Sequence, residues 1–376
     1  MITRTFSLEQ MPDYSFAQGY SLDRIVFFDI ETTGLAAEAS YLYLIGCAFY
    51  KEASFHILQW FSEGPKEEVL LLTSFFEFLK DYDVLLHYNG SGFDIPYLQK
   101  KCRMLQLDYS FEHLTSIDIY RRILPYKKVL GLRNLKLKDL ETFLKINRKD
   151  TFTGGELIQV YQNYLGRKHY EDLRRFRVPE SASLMPSNSE ILLGQLLLHN
   201  EEDIRGLLSI CPVLSYVDLF EKPVRILQAG VTPGTLSIDF EISSFLPALI
   251  HFGSGFVHLT ASGNTANLNI QIYEGELKYF YDNYKDYYYL PAEDYAIHKS
   301  LACYVDKDFR EKAKPSNCYI KKQGLFAPQY EPVITPYFKS SYQDKLTFLE
   351  IHTDYLLREE NLEAYVTHIM RRLLVN

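Results

Sequence analysis

Three strand-like runs, followed by alternating helix-like and strand-like segments, constrain the fold of this chain more than any other feature. Residues 24–30 form a short apolar run rich in Val, Ile and Phe, and residues 42–50 and 54–61 have the same character. Runs of this length and composition are typical of buried β-strands. The pattern therefore predicts an α/β fold with a mixed sheet flanked by helices.

Periodic segments continue this pattern as far as about residue 210. Helical spacing of apolar residues predicts helices over residues 67–80, 95–105, 134–144, 156–165 and 190–210. Strands are predicted over residues 84–88 and 116–120, and a loop over residues 178–189.

The pattern of predicted secondary structure changes after Pro212. Residues 224–289 predict many short strands, and helices are predicted over residues 292–305 and from residue 344 onwards. We therefore expect two domains, with a boundary near Glu221. The first comprises residues 1–221, and the second, residues 222–376, is an accessory α+β domain rich in strands whose role the sequence does not indicate.

Charge and cysteine content exclude some classes of protein. A formal net charge of -8 argues against a general nucleic-acid coat protein, which is normally basic. The five cysteines are widely spaced and contain no C-x-x-C pair, which argues against a disulfide framework or a zinc site. No apolar run approaches the roughly 20 residues that span a bilayer, and no signal peptide is evident. These features predict a cytoplasmic protein without membrane association.

Residues 121–150 carry ten Lys or Arg against three Asp or Glu. A charge run of this kind is ordinarily a solvated helix face. The alternative is that these residues bind the phosphates of a nucleic acid, because the run lies close in sequence to acidic motifs.

Asp29 and Glu31 end the first apolar run, in the segment FFDIETTGL. Alternation along a strand places both carboxylates on one face of the sheet, where they would repel each other and lose solvation. A hard divalent cation with oxygen ligands would offset that repulsion. The alternative is that both side chains point into water at the end of the strand.

Two further segments carry acids in helical contexts. Asp94 lies in HYNGSGFDIPYL, just before a helix opened by Pro96, and could be an N-cap. In LLLHNEEDIRGLL, His199 and Asp203 are four residues apart and share one face of a predicted helix. That face could also be an ordinary exposed one.

The order and context of the three motifs resemble the DEDD 3′–5′ exonucleases, which have a ribonuclease H-like fold. The resemblance is closest to the bacterial YprB-type branch and covers residues 24–210. The spacing of Asn89, Phe93 and Asp94 is also similar to the second exonuclease motif of family-B DNA polymerases. Three motifs in the right order make a specific signal, whereas each alone would be weak.

The resemblance implies a phosphodiester hydrolase that shortens DNA or RNA from single-stranded 3′ ends. It implies two Mg²⁺ or Mn²⁺ ions, one activating the attacking water and one steadying the departing 3′-oxygen. The four acidic ligands of the family match Asp29, Glu31, Asp94 and Asp203.

His199 matches the position of the family's general base. Three residues separate His199 from Asp203, whereas members with a histidine base usually have four, and three is the spacing of the tyrosine subgroup. The YprB-type branch shares this departure. The alternative is that His199 is an outer-shell or capping residue and that solvent handles the proton.

Substrate contacts are implied for four more residues. In related enzymes the backbone after the first motif approaches the terminal nucleotide, which corresponds here to Thr32, Thr33 and Gly34. An ordinary turn at the end of the strand is the alternative. Asn89 is grouped with them, although its side chain is expected to tie the second motif by hydrogen bonds, which is a structural and not a catalytic role. Asp118 is expected to be an outer-shell acid and not a ligand.

The second domain offers one candidate nucleic-acid feature. Eight tyrosines lie between residues 273 and 295, and their rings could stack on unpaired bases or form the core and rim of strands. The overall alternative to an exonuclease is a catalytically silent or partner-activated nucleic-acid-binding subunit of a repair or processing complex. The sequence indicates no protein partner.

Overall fold

The computed structural model describes residues 1–9, 11–16, 20–147, 154–177, 187–351 and 359–375. The chain divides into two compact units: Met1–Lys127 with Leu132–Leu214, and Lys128–Gly131 with Ser215–Asn376. This division lies before the predicted boundary near Glu221, because the helix Ser215–Glu221 belongs to the second unit. That residues 1–221 and 222–376 are two domains with separate functions stays a prediction.

The first unit contains six strands and six α-helices among its described residues. The strands are β1 (Ile2–Leu8), β2 (Ile25–Thr32), β3 (Leu42–Lys51), β4 (Ser54–Phe61), β5 (Val84–His87) and β6 (Thr115–Asp118). The helices are α1 (Glu68–Leu79), α2 (Asp94–Met104), α3 (Ile119–Ile123), α4 (Leu137–Phe143), α5 (Gly154–Arg177) and α6 (Asn188–Ile210).

All six strands form one sheet in the order β1-β4-β3-β2-β5-β6. The first four in this order pair antiparallel, whereas β2, β5 and β6 are parallel. The predicted mixed sheet flanked by helices is therefore confirmed. β2 lies inside the sheet: its first residues, 25–27, pair with β5, and residues 26–32 pair with β3.

Helices cover both faces of this sheet. On one face, Val26, Phe28 and Ile30 of β2 belong to a buried cluster with apolar residues of α1 and α2. On the other, Tyr43 and Phe61 pack with residues of α5 and α6. Because successive side chains of a strand point to opposite faces, Asp29 and Glu31 lie on the side of β2 that faces α6.

A buried ion pair fixes the segment between β2 and β3. Lys101 of α2 lies 2.9 Å from Glu68 of α1, and the two residues are only 4% and 5% exposed. The ammonium also donates to the carbonyl of Ser40, and the carboxylate accepts from the backbone N–H of Leu42. Every strong polar group here has a partner, which is what allows the charges to be buried.

The predicted elements of the first unit differ from the observed ones mainly at its periphery. β1 and α3 were not predicted, α5 extends well beyond the predicted 156–165, and α4 is shorter than the predicted 134–144. Of the predicted loop 178–189, residues 178–186 lie outside the described residues. β1 is an edge strand with four exposed residues, so its apolar pattern is weak.

The described part of the second unit contains ten strands and three α-helices. The strands are β7 (Arg225–Thr232), β8 (Thr235–Ser254), β9 (Val257–Gln271), β10 (Tyr273–Phe280), β11 (Tyr287–Leu290), β12 (Tyr295–His298), β13 (Glu311–Lys312), β14 (Tyr319–Gln329), β15 (Tyr337–Phe338) and β16 (Thr347–Glu350). The helices are α7 (Ser215–Glu221), α8 (Lys299–Ala302) and α9 (Glu359–Leu374). The strands form sheets β7-β8-β9, β10-β14-β16-β15 and β12-β11-β13.

Three predictions for the second unit were wrong in detail. The strands of 224–289 are not all short, since β8 has 20 residues and β9 has 15. The predicted helix 292–305 is instead β12 followed by the single turn α8. The predicted C-terminal helix begins at Glu359, and β16 occupies its expected start. In the last two cases pairing with another strand, β11 for β12 and β14 for β16, overrides the helix-like local pattern.

The tyrosines of residues 273–295 make contacts among themselves and with nearby strands. Tyr281 stacks on Tyr287 with ring centroids 4.3 Å apart, and Tyr289 donates to Asp294. These contacts favour the strand-core interpretation over a base-stacking platform. Among the described helices, none combines the length and apolar character needed to cross a membrane.

Candidate active site

The central strand β2 and the helix α6 bring four of the predicted site residues together. Asp29 and Glu31 project from β2 towards α6, on which His199 and Asp203 are one turn apart. His199 Nε2 lies 3.5 Å from Glu31 Oε1 and 3.3 Å from Asp203 Oδ2. Glu31, His199 and Asp203 each offer a ligand atom within 4.8 Å of the others.

Asp94 joins this group from the start of α2. Its Oδ1 accepts a hydrogen bond from the backbone N–H of Ile30, the residue between Asp29 and Glu31, at 3.3 Å. Asp94 is itself the first residue of the helix, and the N-cap position belongs to Phe93. The alternative interpretation of Asp94 as an N-cap is therefore wrong, because the carboxylate is directed to β2.

Mutual repulsion and burial dominate the electrostatics of these acids. Burial raises the pKa of Asp29 well above its usual value, and three neighbouring acids raise it further. These are, in order of effect, Asp203, Glu31 and Asp94. Burial also raises the pKa of Asp94 to about 7, against the opposing effect of two backbone hydrogen bonds. The surrounding residues thus do little to offset the negative charge of these carboxylates.

The residues present fit a hard divalent cation. Four carboxylates and one imidazole offer the oxygen-rich donor set that Mg²⁺ and Mn²⁺ accept. A cation among them would replace repulsion by attraction and favour the ionised acids.

Asp118, at the end of β6, supports the turn that carries Asp94. Its oxygens accept from the backbone N–H groups of Asn89, at 2.9 Å, and Ser91, at 3.2 Å, in the turn that precedes Asp94. It also accepts from the backbone N–H of Arg121 as the N-cap of α3. Its lone pairs are therefore directed to the backbone, as expected for an outer-shell acid.

His87, the last residue of β5, is a buried and neutral histidine that contacts the same turn. His87 Nδ1 accepts from the backbone N–H of Gly90, and Nε2 lies 2.7 Å from the hydroxyl of Ser116. Burial lowers the pKa of His87 to about 4, and the charge of Asp118 only partly opposes this effect. Below the ordinary histidine pKa of about 6.5, an unfolded chain therefore binds a proton that the folded chain does not.

This difference predicts that His87 destabilises the first unit as the pH falls from about 6.5 to about 4, by up to roughly 3 kcal/mol. The single tryptophan, Trp60, lies in this unit, so its fluorescence in urea titrations reports the transition. Wild type and His87→Asn should differ less at pH 5 than at pH 7, by about 2 kcal/mol. A difference that does not change with pH would contradict the prediction.

Thr32, Thr33 and Gly34 lie where β2 leaves the sheet and are all partly exposed. The hydroxyl of Thr32 donates to the carbonyl of Gly34, and the hydroxyl of Thr33 accepts from the backbone N–H of Tyr41. These contacts shape the turn beside the acids. A role in substrate binding stays a prediction.

Asn89 has an exposed side chain and a φ of 58°. Asparagine tolerates this left-handed conformation better than most residues. The second motif was expected to be held by hydrogen bonds of the Asn89 side chain. It is held instead by the hydrogen bond from the backbone N–H of Asn89 to Asp118. In the basic segment, every Lys and Arg from Arg121 to Lys145 except the half-buried Lys127 is exposed, and residues 148–150 lie outside the described part.

Three buried residues beside the acids were not identified from sequence. Asn200 donates to Asp29, Gln59 of β4 donates to Asn200, and Gly46 of β3 leaves room for the asparagine amide. A glycine in the middle of an apolar strand often marks a close approach, and Gly46 was the one available signal.

Comparison with known protein families finds a match in the first part of the chain. A profile described as the RNase H superfamily matches residues 26–215, about half of the sequence. An uncharacterized protein, YprB of Bacillus subtilis (strain 168), is 28% identical over 202 residues. This match covers 52% of the chain and 42% of the Bacillus protein, so the chain spans less than half of that relative.

Solved structures with detectable likeness include two nucleic-acid enzymes. The family B DNA polymerase of Pyrobaculum calidifontis is 13% identical with a TM-score of 0.32, covering 70% of this chain and 35% of the polymerase. E. coli Exonuclease I in complex with a dA16 oligonucleotide is 10% identical with a TM-score of 0.26, covering 58% of this chain and 54% of the exonuclease.

Proposed function

Because the chain belongs to the RNase H superfamily, as its motifs predicted, we propose that it is a metal-dependent 3′–5′ exonuclease that hydrolyses the phosphodiester bonds of DNA or RNA. The substrate would be a single-stranded 3′ end, and the cofactors two Mg²⁺ or Mn²⁺ ions. The match to a superfamily profile supports a nuclease, and the finer assignments rest on the site.

The observation that carries the proposal is the convergence of Glu31, His199 and Asp203, with Asp29 and Asp94 beside them. These residues come from three segments far apart in sequence. Surface acids that simply face water would be expected to spread apart and keep their ordinary pKa values. Here burial and mutual repulsion are both maintained, which is typical of a functional site.

The roles follow from where each group is held. Asp29, Glu31, Asp94 and Asp203 would hold the cations, which supply a lowered water pKa and neutralise charge on the scissile phosphate. Pairing with β3 holds the backbone of Asp29 and Glu31, and the hydrogen bond from Ile30 orients Asp94. We assign to His199 the removal of a proton from the attacking water, since a neutral imidazole can accept one near neutral pH.

The proposal predicts a ladder of products that shortens from the 3′ end. We would digest 5′-labelled and 3′-labelled single strands of DNA and RNA with the full chain in Mn²⁺, Mg²⁺ or EDTA. A circular strand of the same sequence is the matched control, because an exonuclease needs an end. Progressive 3′ shortening that requires metal and spares the circle is the expected result, and the preferred polymer identifies the substrate.

Other outcomes would replace the proposal by a different function. Cleavage of the circle would indicate an endonuclease, and shortening from the 5′ end would reverse the polarity. Mn²⁺ binding without cleavage of either polymer would favour a silent or partner-activated nucleic-acid-binding subunit. Cleavage that persists in EDTA would contradict the assigned role of the carboxylates.

A further inference from the structure

One row of residues crosses three neighbouring strands beside the proposed site. Asp29 of β2 is paired with Gly46 of β3, and Gly46 is paired with Gln59 of β4. Gly46 has no side chain, so the middle of the row is open. The amide of Asn200 from α6 fills this opening: a Cβ placed on Gly46 would lie 2.0 Å from Asn200 Oδ1.

The amide of Asn200 bridges the two ends of the row. Its Nδ2 donates to Asp29 Oδ2 at 3.1 Å, and its Oδ1 accepts from Gln59 Nε2 at 3.0 Å. Gln59 Nε2 also donates to the backbone carbonyl of Leu197, at 2.9 Å. Asn200 and Gln59 are both fully buried, so no solvent competes for these bonds.

The direction of this chain of hydrogen bonds is fixed at its far end. The carbonyl of Leu197 can only accept, so Gln59 must present its NH₂ group to it. The same NH₂ group faces Asn200, whose oxygen must therefore turn towards Gln59. The remaining NH₂ group of Asn200 is left to face Asp29. A backbone carbonyl of α6 thus determines which group meets the acid.

We infer that Asn200 is a positioning residue for Asp29: its hydrogen bond to Oδ2 holds the carboxylate in the orientation that a divalent cation binds. The inference rests on the proposed function, in which Asp29 is a metal ligand. An outer hydrogen bond of this kind orients a ligating carboxylate and reduces its freedom before the cation arrives. Gly46 and Gln59 act one step further out, by admitting and orienting the amide.

The test is the affinity of the full chain for Mn²⁺, measured from the free-ion signal in electron paramagnetic resonance. Asn200→Leu removes the donor at similar volume, and Gly46→Ala displaces the amide without changing any polar group. Each is expected to weaken Mn²⁺ binding by about 10- to 100-fold. Asn188→Leu, the same exchange at the exposed start of α6, is the matched control and should bind as wild type.

Trp60 fluorescence and circular dichroism establish that each variant is folded, and affinity is expressed per folded molecule. Asp29→Asn is measured in parallel. If Asp29→Asn binds Mn²⁺ as wild type does, the proposed metal site itself is wrong. If Asp29→Asn binds weakly while either folded variant, Asn200→Leu or Gly46→Ala, keeps the wild-type affinity, the metal site stands and the positioning role is overturned.

Discussion

Replacing Asp203 by asparagine is expected to abolish cleavage and, in metal-free buffer, to stabilise the protein. Asparagine has nearly the shape of aspartate but lacks its charge, so it is a poor ligand for a hard cation. Since a bound cation supplies several kcal/mol of transition-state stabilisation, activity should fall by about a thousandfold or more.

The expected gain in stability of Asp203→Asn without metal comes from the loss of a negative charge. Asp203 is the charge that acts most strongly on half-buried Asp29. Removing it relieves repulsion between like charges, which is expected to raise the free energy of unfolding in EDTA by roughly 1 kcal/mol. With Mn²⁺ at 100 times its dissociation constant, wild type alone should gain about 2.7 kcal/mol, so the order of stability reverses.

Urea titrations followed by Trp60 fluorescence measure the free energy of unfolding of the first unit in EDTA and with Mn²⁺. Glu202→Gln makes the same chemical change one residue earlier on α6 and should leave activity and the response to Mn²⁺ unchanged. Asp203→Asn with wild-type activity, or with the full Mn²⁺-dependent gain in stability, would show that Asp203 holds no essential cation.

Replacing Lys101 by methionine is expected to destabilise the first unit by about 3–5 kcal/mol. The change would leave the carboxylate of Glu68 buried without its cation, and the carbonyl of Ser40 without its donor. Urea denaturation at pH 7 measures the loss. Adding Glu68→Gln should recover much of it, because glutamine is neutral and its oxygen can still accept from Leu42.

The adjacent residue provides a matched control. Lys100 also pairs with an acid, Glu38, but both side chains are about half exposed. Water and salt screen such a pair, so Lys100→Met should cost no more than about 1 kcal/mol. Equal losses for Lys100→Met and Lys101→Met would contradict the view that burial makes the second pair matter.

The sequence predicts elements well where burial follows a simple local period. The predicted strand 54–61 coincides with β4, and the predicted helix 67–80 exceeds α1 by one residue at each end. By contrast, 292–305 has helix-like spacing but holds only the single turn α8, because β12 pairs with β11. The apolar spacing of 292–305 alone does not reveal this pairing, because it depends on the strand that precedes the segment.

The same distinction applies to the candidate site. Strand alternation and helical spacing predict that Asp29 shares a face with Glu31, and His199 with Asp203, because each pair lies within one element. That these pairs meet was expected only from the resemblance. The contribution of Asn200 could not be predicted, since it depends on Gln59, 141 positions away in the chain.

The opening above Gly46 also links the evolutionary fates of distant positions. A side chain at position 46 and an amide at position 200 compete for one space, so a substitution at either changes what the other tolerates. A lineage that acquires a side chain at position 46 displaces the amide of position 200 from Asp29. Glycine must be restored at position 46 before an asparagine at position 200 can reach Asp29 again, so the order of the two substitutions matters.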